Sequence, residues 1–255
     1  MLSKEKIKYF NSLKIKKNRL IEKKIIVEGE RLIFEILKTD VNCNIILISN
    51  KNLLSQIGIN IISIANKKNI QIEKIDDKIL KKLSSTKNNQ SIIGICDSPK
   101  YKTINYNSNI LALDHISDPG NMGTLLRTAE WFGIKNVILS DNCVDLFNAK
   151  VIRSGMGAHF YIKSICLLNL SDEMIKLKNK GYSILGADKN GTQISKCDIT
   201  NKWVLIIGNE ANGLSKNIIN HITNLIAIPG IGNIESLNAS IAGGILLNNL
   251  IQREN

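Results

Sequence analysis

The sequence lacks the features that mark several protein classes. Its five cysteines are scattered, odd in number and never spaced Cys-x-x-Cys, which excludes the usual zinc and redox motifs and predicts reduced, buried thiols. The three histidines have no i, i+4 partner, so we expect no metal site. No stretch reaches the roughly 18 apolar residues of a membrane span. The basic opening segment lacks the apolar core of a signal peptide, and we expect a cytoplasmic protein without a membrane partner.

What the chain does contain is a hydrophobic fraction of 44% over 255 residues, enough for one large domain or two small ones. The formal net charge of +12 is unevenly distributed. Residues 1–98 carry 19 Lys and Arg against 10 Asp and Glu, whereas residues 99–255 carry 15 against 12. Such a basic segment is either a solvated face or a surface that contacts a nucleic-acid backbone.

Hydrophobic periods alternate between extended and helical along the whole chain, which predicts an α/β protein with a mainly parallel sheet. The polar segment Asp97–Asn109 has no period and contains Pro99, so it is interpreted as a linker. We therefore predict a domain at 1–98, a linker at 99–109 and a second domain at 110–255. The predicted helices include Gly29–Lys38 and Asp76–Ser84. The predicted strands are Ile45–Ser49, Gln71–Ile75, Ser91–Cys96, Ile110–Asp114, Asn136–Ser140, Tyr182–Ala187, Trp203–Gly208 and Leu225–Ile228.

Three polar, glycine-containing segments follow predicted strands of the second domain, where open α/β sheets place their ligands. In the first segment, Asn121 is expected to cap a helix that continues to Phe132. Arg127 belongs to this helix, whose other residues are largely apolar (Leu125, Leu126, Ala129, Trp131). An arginine among apolar residues needs a partner. Arg127 is therefore either part of a functional site or one member of an interhelical ion pair.

The second segment places Gly208, Asn209, Glu210 and Gly213 in a loop, where glycine allows positive φ and close approach of a ligand. The third segment is glycine-rich and leads into a helix of mostly small and aliphatic residues, Leu237–Ile251, that Ser236 is expected to cap. None of the usual nucleotide fingerprints is present: no dinucleotide glycine motif, no phosphate-binding P-loop, no nucleophile elbow and no zinc deaminase signature. This absence argues against dinucleotides and triphosphates.

Together the three segments resemble the SpoU branch of the SPOUT RNA methyltransferases, also called the TrmH family. Two departures from the family pattern are visible, Gly230 in place of Met and Ala239 in place of Val, both at packing positions. The matches to the three family motifs are, in order, Asn121, Gly123, Arg127, Thr128 and Ala129; Gly208, Glu210 and Gly213; and Ile228, Pro229, Gly232, Ser236, Leu237, Asn238, Ser240 and Ala242.

The first domain is similar to the substrate-binding domain often fused to this family, a small α/β sandwich that resembles a ribosomal protein. Lys24–Ile36 is similar to its opening and Leu83–Ile95 to its closing strand region. The family's usual glycine in the latter is missing from Asn89-Gln90-Ser91.

The resemblance implies a trefoil-knotted α/β domain that binds S-adenosylmethionine and methylates a ribose 2′-hydroxyl of structured RNA. Large-subunit rRNA is the expected target and tRNA the other. Relatives pair as homodimers through the C-terminal domain, so a homodimer is expected here, although a helix as apolar as 237–251 also suits the core of one subunit. The residues implied for the cofactor are Gly208, Asn209, Glu210, Ile228 and Leu237.

The resemblance gives Arg127 a catalytic role. A guanidinium keeps its proton under nearly all conditions, so a phosphate clamp and electrostatic stabiliser is easier chemistry than a base. Asn121, Glu210, Ser236 and Asn238 would orient Arg127 and the ribose, and no metal is needed. Two alternatives are a non-catalytic RNA-binding or ribosome-assembly factor that keeps the fold, and a general nucleotide-binding enzyme, which lacks its phosphate loop.

Overall fold

A computed structural model describes residues 2–49, 55–86 and 92–253. The chain forms two compact units. The first contains Met1–Lys100 together with Phe147–Phe160, and the second contains Tyr101–Leu146 and Tyr161–Asn255. Residues 147–160, which were predicted to belong to the second domain, pack with the first unit.

The first unit contains a mixed four-stranded sheet in the order β1-β4-β2-β3. Strand β4 is antiparallel to both β1 and β2, and β2 is parallel to β3. The strands are β1 Lys24–Glu28, β2 Cys43–Ile48, β3 Gln71–Lys74 and β4 Ile92–Asp97. The helices are α1 Lys4–Ser12, α2 Lys16–Glu22, α3 Glu30–Leu37, α4 Gln56–Lys67 and α5 Asp77–Leu83.

Local signals explain several helix ends of this unit. The side chain of Ser3 accepts a hydrogen bond from Lys6 N at 3.2 Å and begins α1, and Ser55 does the same for Gly58 N at 2.9 Å in α4. Arg19 is buried, and its guanidinium donates to the carbonyl oxygens of Leu13 and Lys14 in the turn between α1 and α2. Arg19 therefore holds this turn, and the lysines around it supply the exposed charge.

The core of the first unit includes a residue from the second half of the chain. Helix α7, Ala149–Gly155, buries Ile152 to 1% exposure in the same cluster as Ile33 and Ile36 of α3. Phe147 and Phe160 pack against this cluster as well. Residues 147–160 are thus part of the hydrophobic core that stabilises the N-terminal unit.

The second unit contains a six-stranded sheet in the order β10-β8-β9-β5-β6-β7, and all of its recorded strand pairs are parallel. Central strands such as β5 and β9 are buried along their whole length and uniformly apolar, as expected for a parallel sheet covered on both faces. The strands are β5 Ile110–Leu113, β6 Asn136–Leu139, β7 Ser164–Leu167, β8 Ser183–Gln193, β9 Trp203–Ile207 and β10 Asn224–Ala227. The helices are α6 Pro119–Trp131, α8 Leu170–Asn179, α9 Lys216–Ile219 and α10 Ala239–Gln252.

The strand order reverses between β5 and β9, because the chain runs outward from β5 through β6 to β7 and returns on the other side of β5. In open parallel sheets, ligands bind outside the carboxyl ends of the strands at such a switch point. The trefoil knot stays a prediction.

Every predicted strand and both named helices overlap an element of the structure, although their ends differ by one or more residues. Strands β1 and β7 were not predicted, and β8 continues to Gln193 rather than ending at Ala187. Residues 89–91, where the family's glycine is missing, lie outside the described residues.

Within the described ranges, no helix is long and apolar enough to cross a membrane, and no group of His, Cys, Asp and Glu is arranged to hold a metal ion. All five cysteines are free. Cys43, Cys96 and Cys197 are buried as predicted, whereas Cys143 and Cys166 are only partly buried.

Candidate active site

The three motif segments meet at one edge of the parallel sheet. The first follows β5 and forms the start of α6, and the second follows β9 directly. Strands β5 and β9 are parallel neighbours, so their carboxyl ends lie side by side. The third segment follows β10 and leads into α10.

Helix α6 begins one turn earlier than predicted. Asp118 caps it, since its Oδ1 accepts a hydrogen bond from Asn121 N at 2.8 Å, and Pro119 occupies the first helical position. Asn121 was expected to be the cap and instead lies in the first turn, with 8% of its surface exposed. Its side chain is therefore free to interact with the other two motif segments.

One side chain from each segment forms a hydrogen-bonded network. The Asn121 Nδ2 donates to Glu210 Oε1 at 2.8 Å, and the Asn238 Nδ2 donates to Asn121 Oδ1 at 2.9 Å. Ser117 Oγ donates to the second carboxylate oxygen of Glu210 at 3.2 Å. Three segments that are distant in sequence are thereby joined through Asn121.

Asn238 is also the N-cap of α10. Its Oδ1 accepts hydrogen bonds from the backbone N–H groups of Ser240 at 2.9 Å and Ile241 at 3.3 Å, and from the Ser240 hydroxyl at 2.6 Å. The prediction that Ser236 caps this helix is wrong. The Oδ1 of Asn238 thus caps α10 while its Nδ2 bonds Asn121, so this one side chain holds the start of α10 to the network.

The loop after β9 is closed by a pair of backbone hydrogen bonds between Asn209 and Gly213, each 2.9 Å long. Gly213 has a φ of +66°, a conformation that glycine adopts without strain. Gly208 is buried, and a Cβ at this position would lie 2.6 Å from the backbone nitrogen of Leu214. Glycine at 208 is therefore required for the loop to fold back so closely.

The carboxyl group of Glu210 is held in its ionised form. Partial burial raises the pKa of Glu210, but hydrogen bonds from Asn121 and from backbone N–H groups of the neighbouring loops outweigh that effect and bring the pKa below its ordinary value. An anionic Glu210 is thus part of the site at neutral pH.

Arg127 is exposed, and its guanidinium makes no hydrogen bond or ion pair with any residue that the structure describes. The interhelical ion pair considered from the sequence is therefore absent from this part of the chain. Of the apolar residues around it in α6, Leu125, Leu126 and Ala129 are buried, whereas 83% of the surface of Trp131 is exposed. Arg127 is accordingly free to contact a ligand.

Asn209 reaches the network, since its Nδ2 donates to Glu210 Oε2 at 3.4 Å, whereas Ile228, Ser236 and Leu237 do not. Ile228 follows β10 immediately, and Ser236 and Leu237 are exposed ahead of α10. No described residue forms a hydrogen bond with the Ser236 side chain. Ser117 and Asp118 also belong to the site and were not predicted from the sequence. The Asp-Pro pair at 118–119 is a recognisable helix-start signal and could have identified the cap.

Comparison with known proteins matches residues 108–248 to the SpoU rRNA Methylase family and residues 4–94 to the MRM3-like substrate binding domain. The first match covers more than half of the chain, so the protein belongs to the SpoU rRNA methylase family, as its three motifs predicted. It is an RNA methyltransferase by that membership.

Two curated relatives have established names. The 23S rRNA (guanosine(2553)-2′-O)-methyltransferase RlmP of Bacillus subtilis is 30% identical over 247 residues, covering 96% of each chain. The 23S rRNA (guanosine-2′-O-)-methyltransferase RlmB of Neisseria meningitidis is 29% identical over 192 residues, covering 72% of this chain and 77% of that protein.

Solved structures share the architecture over the full length. A protein of the TrmH family of RNA methyltransferases from Porphyromonas gingivalis superposes with a TM-score of 0.84 at 29% identity, covering 99% of each chain. The SpoU methyltransferase AviRb from Streptomyces viridochromogenes, solved with AdoMet, superposes with a TM-score of 0.83 at 20% identity, covering 99% of this chain and 98% of that one. At 20% identity, the similarity to AviRb establishes the fold alone.

Proposed function

We propose that this protein transfers a methyl group from S-adenosylmethionine to a ribose 2′-hydroxyl of RNA. The observation that carries the proposal is the network of Asn121, Glu210 and Asn238, which joins the three family motifs at the switch point of the parallel sheet. A protein that only bound RNA would have no need to hold three polar side chains in this arrangement.

The acceptor that we propose is a guanosine of large-subunit rRNA. RlmP and RlmB, the two named relatives, both carry guanosine and 23S rRNA in their names. RlmP matches the chain over both of its units, since the match extends over 96% of each protein. Methylation of tRNA is the alternative.

The residues present suit S-adenosylmethionine. Residues 229–237 are exposed, and within the described chain they form no backbone hydrogen bond, so their N–H and C=O groups are available to a ligand. Such groups suit a cofactor that is held mainly by the backbone, and Ile228 and Leu237 border this segment. Gly208, Asn209 and the anionic Glu210 complete the proposed cofactor site. When bound, S-adenosylmethionine supplies an electrophilic methyl group.

The protein's own residues then position the acceptor. The Arg127 side chain has no intramolecular partner within the described ranges and can form a bidentate contact with a substrate phosphate. This contact would position the ribose and offset the negative charge of the phosphate. Asn121, Glu210 and Asn238 hold the start of α6 and α10 in a fixed relation, so the acceptor hydroxyl meets a preorganised site. Ser236 is exposed, and we propose that it contacts the ribose or its phosphate.

We also propose that the active unit is a homodimer formed through α10. Gly243 faces Leu125 of the same chain, so the small side of α10 packs on α6 rather than on a partner. Ile241 and Ile245 are 55% and 37% exposed, which does not suit a helix of the core. A second copy would cover them. Ile245→Asp should reduce dimerisation and activity together, and light scattering that finds a fully active monomer at assay concentration would exclude the idea.

Ribose methylation mapped in RNA from cells with and without this gene tests the function. One 2′-O-methylated position of large-subunit rRNA should disappear with the gene and return with it. S-adenosylmethionine should also raise the melting temperature of the purified protein, as a ligand selective for the native state does. An unchanged methylation map and an unchanged melting temperature would favour the non-catalytic RNA-binding factor instead.

A further inference from the structure

A polar cavity lies at the carboxyl ends of β5, β6 and β7, next to the switch point of the second unit. Its volume is about 220 Å³. Pockets that hold drug-sized ligands measure roughly 300–1,000 Å³, so this cavity suits a single ring system. None of the five residues proposed for the cofactor lines it.

Hydrogen bonds hold the part of the cavity wall that follows β5. The buried carboxylate of Asp114 accepts from Ser215 N at 2.7 Å, and His115 N donates to Ser140 Oγ at 2.8 Å. His115 has a φ of +57°, a sparsely populated conformation for a residue with a side chain. Asn142 Nδ2 lies 3.3 Å from His115 Nε2. These hydrogen bonds hold Asp114, His115 and Ser140 in place on one side of the cavity.

Two polar side chains that line the cavity have no partner among the described residues, Asp141 and Asn217. The lining residues that the structure describes include two carboxylates, Asp114 and Asp141, and no Lys or Arg. Phosphate would be repelled from such walls. A neutral ligand edge that carries N–H donors would be bound, because a carboxylate accepts hydrogen bonds with both of its oxygens.

A hydrogen bond links one lining residue of the cavity, His115, to the loop of the candidate active site. Asn209 Nδ2 donates to the carbonyl oxygen of His115 at 2.8 Å. The next residue, Glu210, bonds Asn121. A ribose held at Asn121 and Glu210 carries its base only a glycosidic bond away. Single-stranded RNA is read by splaying a base out of the stack and bonding its Watson–Crick edge.

We propose that the cavity receives the guanine base of the acceptor nucleotide and that the Asp141 carboxylate accepts hydrogen bonds from its N1–H and 2-amino groups. This inference rests on the proposed ribose methylation. Guanine is the base whose Watson–Crick edge presents two adjacent N–H donors to one carboxylate. Asp141 is thus a specificity-determining residue, separate from the residues that bind the cofactor or the reacting ribose.

Replacement of the acceptor guanosine by inosine, which lacks only the 2-amino group, tests this assignment. The substrates are two synthetic RNA fragments that carry guanosine or inosine at the position found by methylation mapping. The full-length wild type should lose roughly tenfold to hundredfold in kcat/KM on inosine, the range expected for one hydrogen bond to a charged group. Asp141→Ala should lose at least that factor on guanosine and should no longer distinguish the two RNAs.

Asp198→Ala is the matched control, because Asp198 is an exposed aspartate of the same unit that lies outside the cavity. It should discriminate like the wild type, and Asp141→Ala should bind S-adenosylmethionine as tightly as the wild type. Retention of the guanosine preference by Asp141→Ala would overturn the assignment, as would an acceptor that maps to uridine. Failure of the wild type to methylate either RNA would instead count against the proposed function.

Discussion

The two units of this protein carry their polar residues in different ways. Residues 1–98 hold 19 Lys and Arg against 10 Asp and Glu, and the lysines of α1 and α2 are exposed without forming one defined site. The second unit is closer to neutral, and its informative polar side chains converge on the network around Asn121. Charge is spread out in one unit, and hydrogen-bonding geometry is concentrated in the other.

This difference indicates how each unit should respond to mutation. Contacts between exposed lysines and phosphate are individually weak, screened by salt and roughly additive. A preorganised site in a parallel sheet depends on single atoms held at hydrogen-bond distance, so one substitution can remove most of the catalytic activity. Single changes should therefore be severe in the second unit and graded in the basic part of the first.

The largest effect is expected from Arg127→Ala. Removal of one preorganised charge that stabilises the transition state costs about 10²–10³ in kcat. The affinity for S-adenosylmethionine, measured by calorimetry, should stay within a few-fold, because Arg127 bonds none of the proposed cofactor residues. Arg127→Lys keeps the charge without the planar fork and should recover only part of the activity. A reduction in cofactor binding as large as the reduction in activity would contradict the assigned role.

Ile152→Ala should destabilise the first unit although the residue comes from the second half of the chain. It removes a side chain that is 1% exposed in the N-terminal core, which costs about 2–5 kcal/mol. Hydrogen exchange should show reduced protection in β1, β2 and α3, with cofactor affinity unchanged. Ile175→Ala, at an isoleucine of α8 that is 46% exposed, is the control and should change protection little. Unaltered exchange in β1 would mean that residues 147–160 do not support this core.

Because residues 147–160 pack in the core of the first unit, deletion of residues 1–98 would test more than RNA binding. Deletion of residues 1–98 leaves Ile152, Phe147 and Phe160 without the core that buries them. Substitution of surface lysines in the intact chain is therefore the cleaner test of RNA binding by the first unit.

A moderate effect is expected from Lys16→Gln combined with Lys17→Gln, two exposed lysines of α2. RNA affinity should fall, and the slope of log affinity against log salt should decrease by about one for each phosphate that the protein no longer neutralises. Lys178→Gln, at an exposed lysine of α8, is the control and should leave the slope unchanged. Wild-type salt dependence in the double variant would indicate that α2 is only a solvated face.

The smallest effect is expected from acid titration of Glu210. The pKa of Glu210 in the folded protein lies below the ordinary value of 4.5. The contribution of the Glu210 carboxylate to the site is therefore fully present above pH 4.5 and is lost as the pH falls through the folded pKa. Cofactor affinity of the wild type should thus be flat near neutral pH and weaken only at the acid end. Glu210→Gln should bind less tightly without this acid limb. A transition centred near neutral pH in the wild type would assign the effect to another group.

Much of the second unit could be predicted because its signals are local. The strands β5, β6 and β9 are short apolar runs between polar loops, and the glycines and polar residues of the first two motifs follow β5 and β9 closely. Helix starts were less certain, since Asn121, Asp118, Ser236 and Asn238 are all acceptable caps by residue type. Which of them caps a helix depends on where the first turn begins, and the tertiary network decides that.

The amino-acid sequence was enough to predict the α/β class, the three motif segments and the uneven charge. Each of these follows from residue type and short-range period. Three relations became visible in the folded chain: Asn121 lies between Glu210 and Asn238, the Arg127 side chain is free of partners in the described residues, and residues 147–160 belong to the N-terminal core. The Asn121–Asn238 hydrogen bond alone joins positions 117 residues apart, and contacts of this range depend on how buried strands and helices pack rather than on any local pattern.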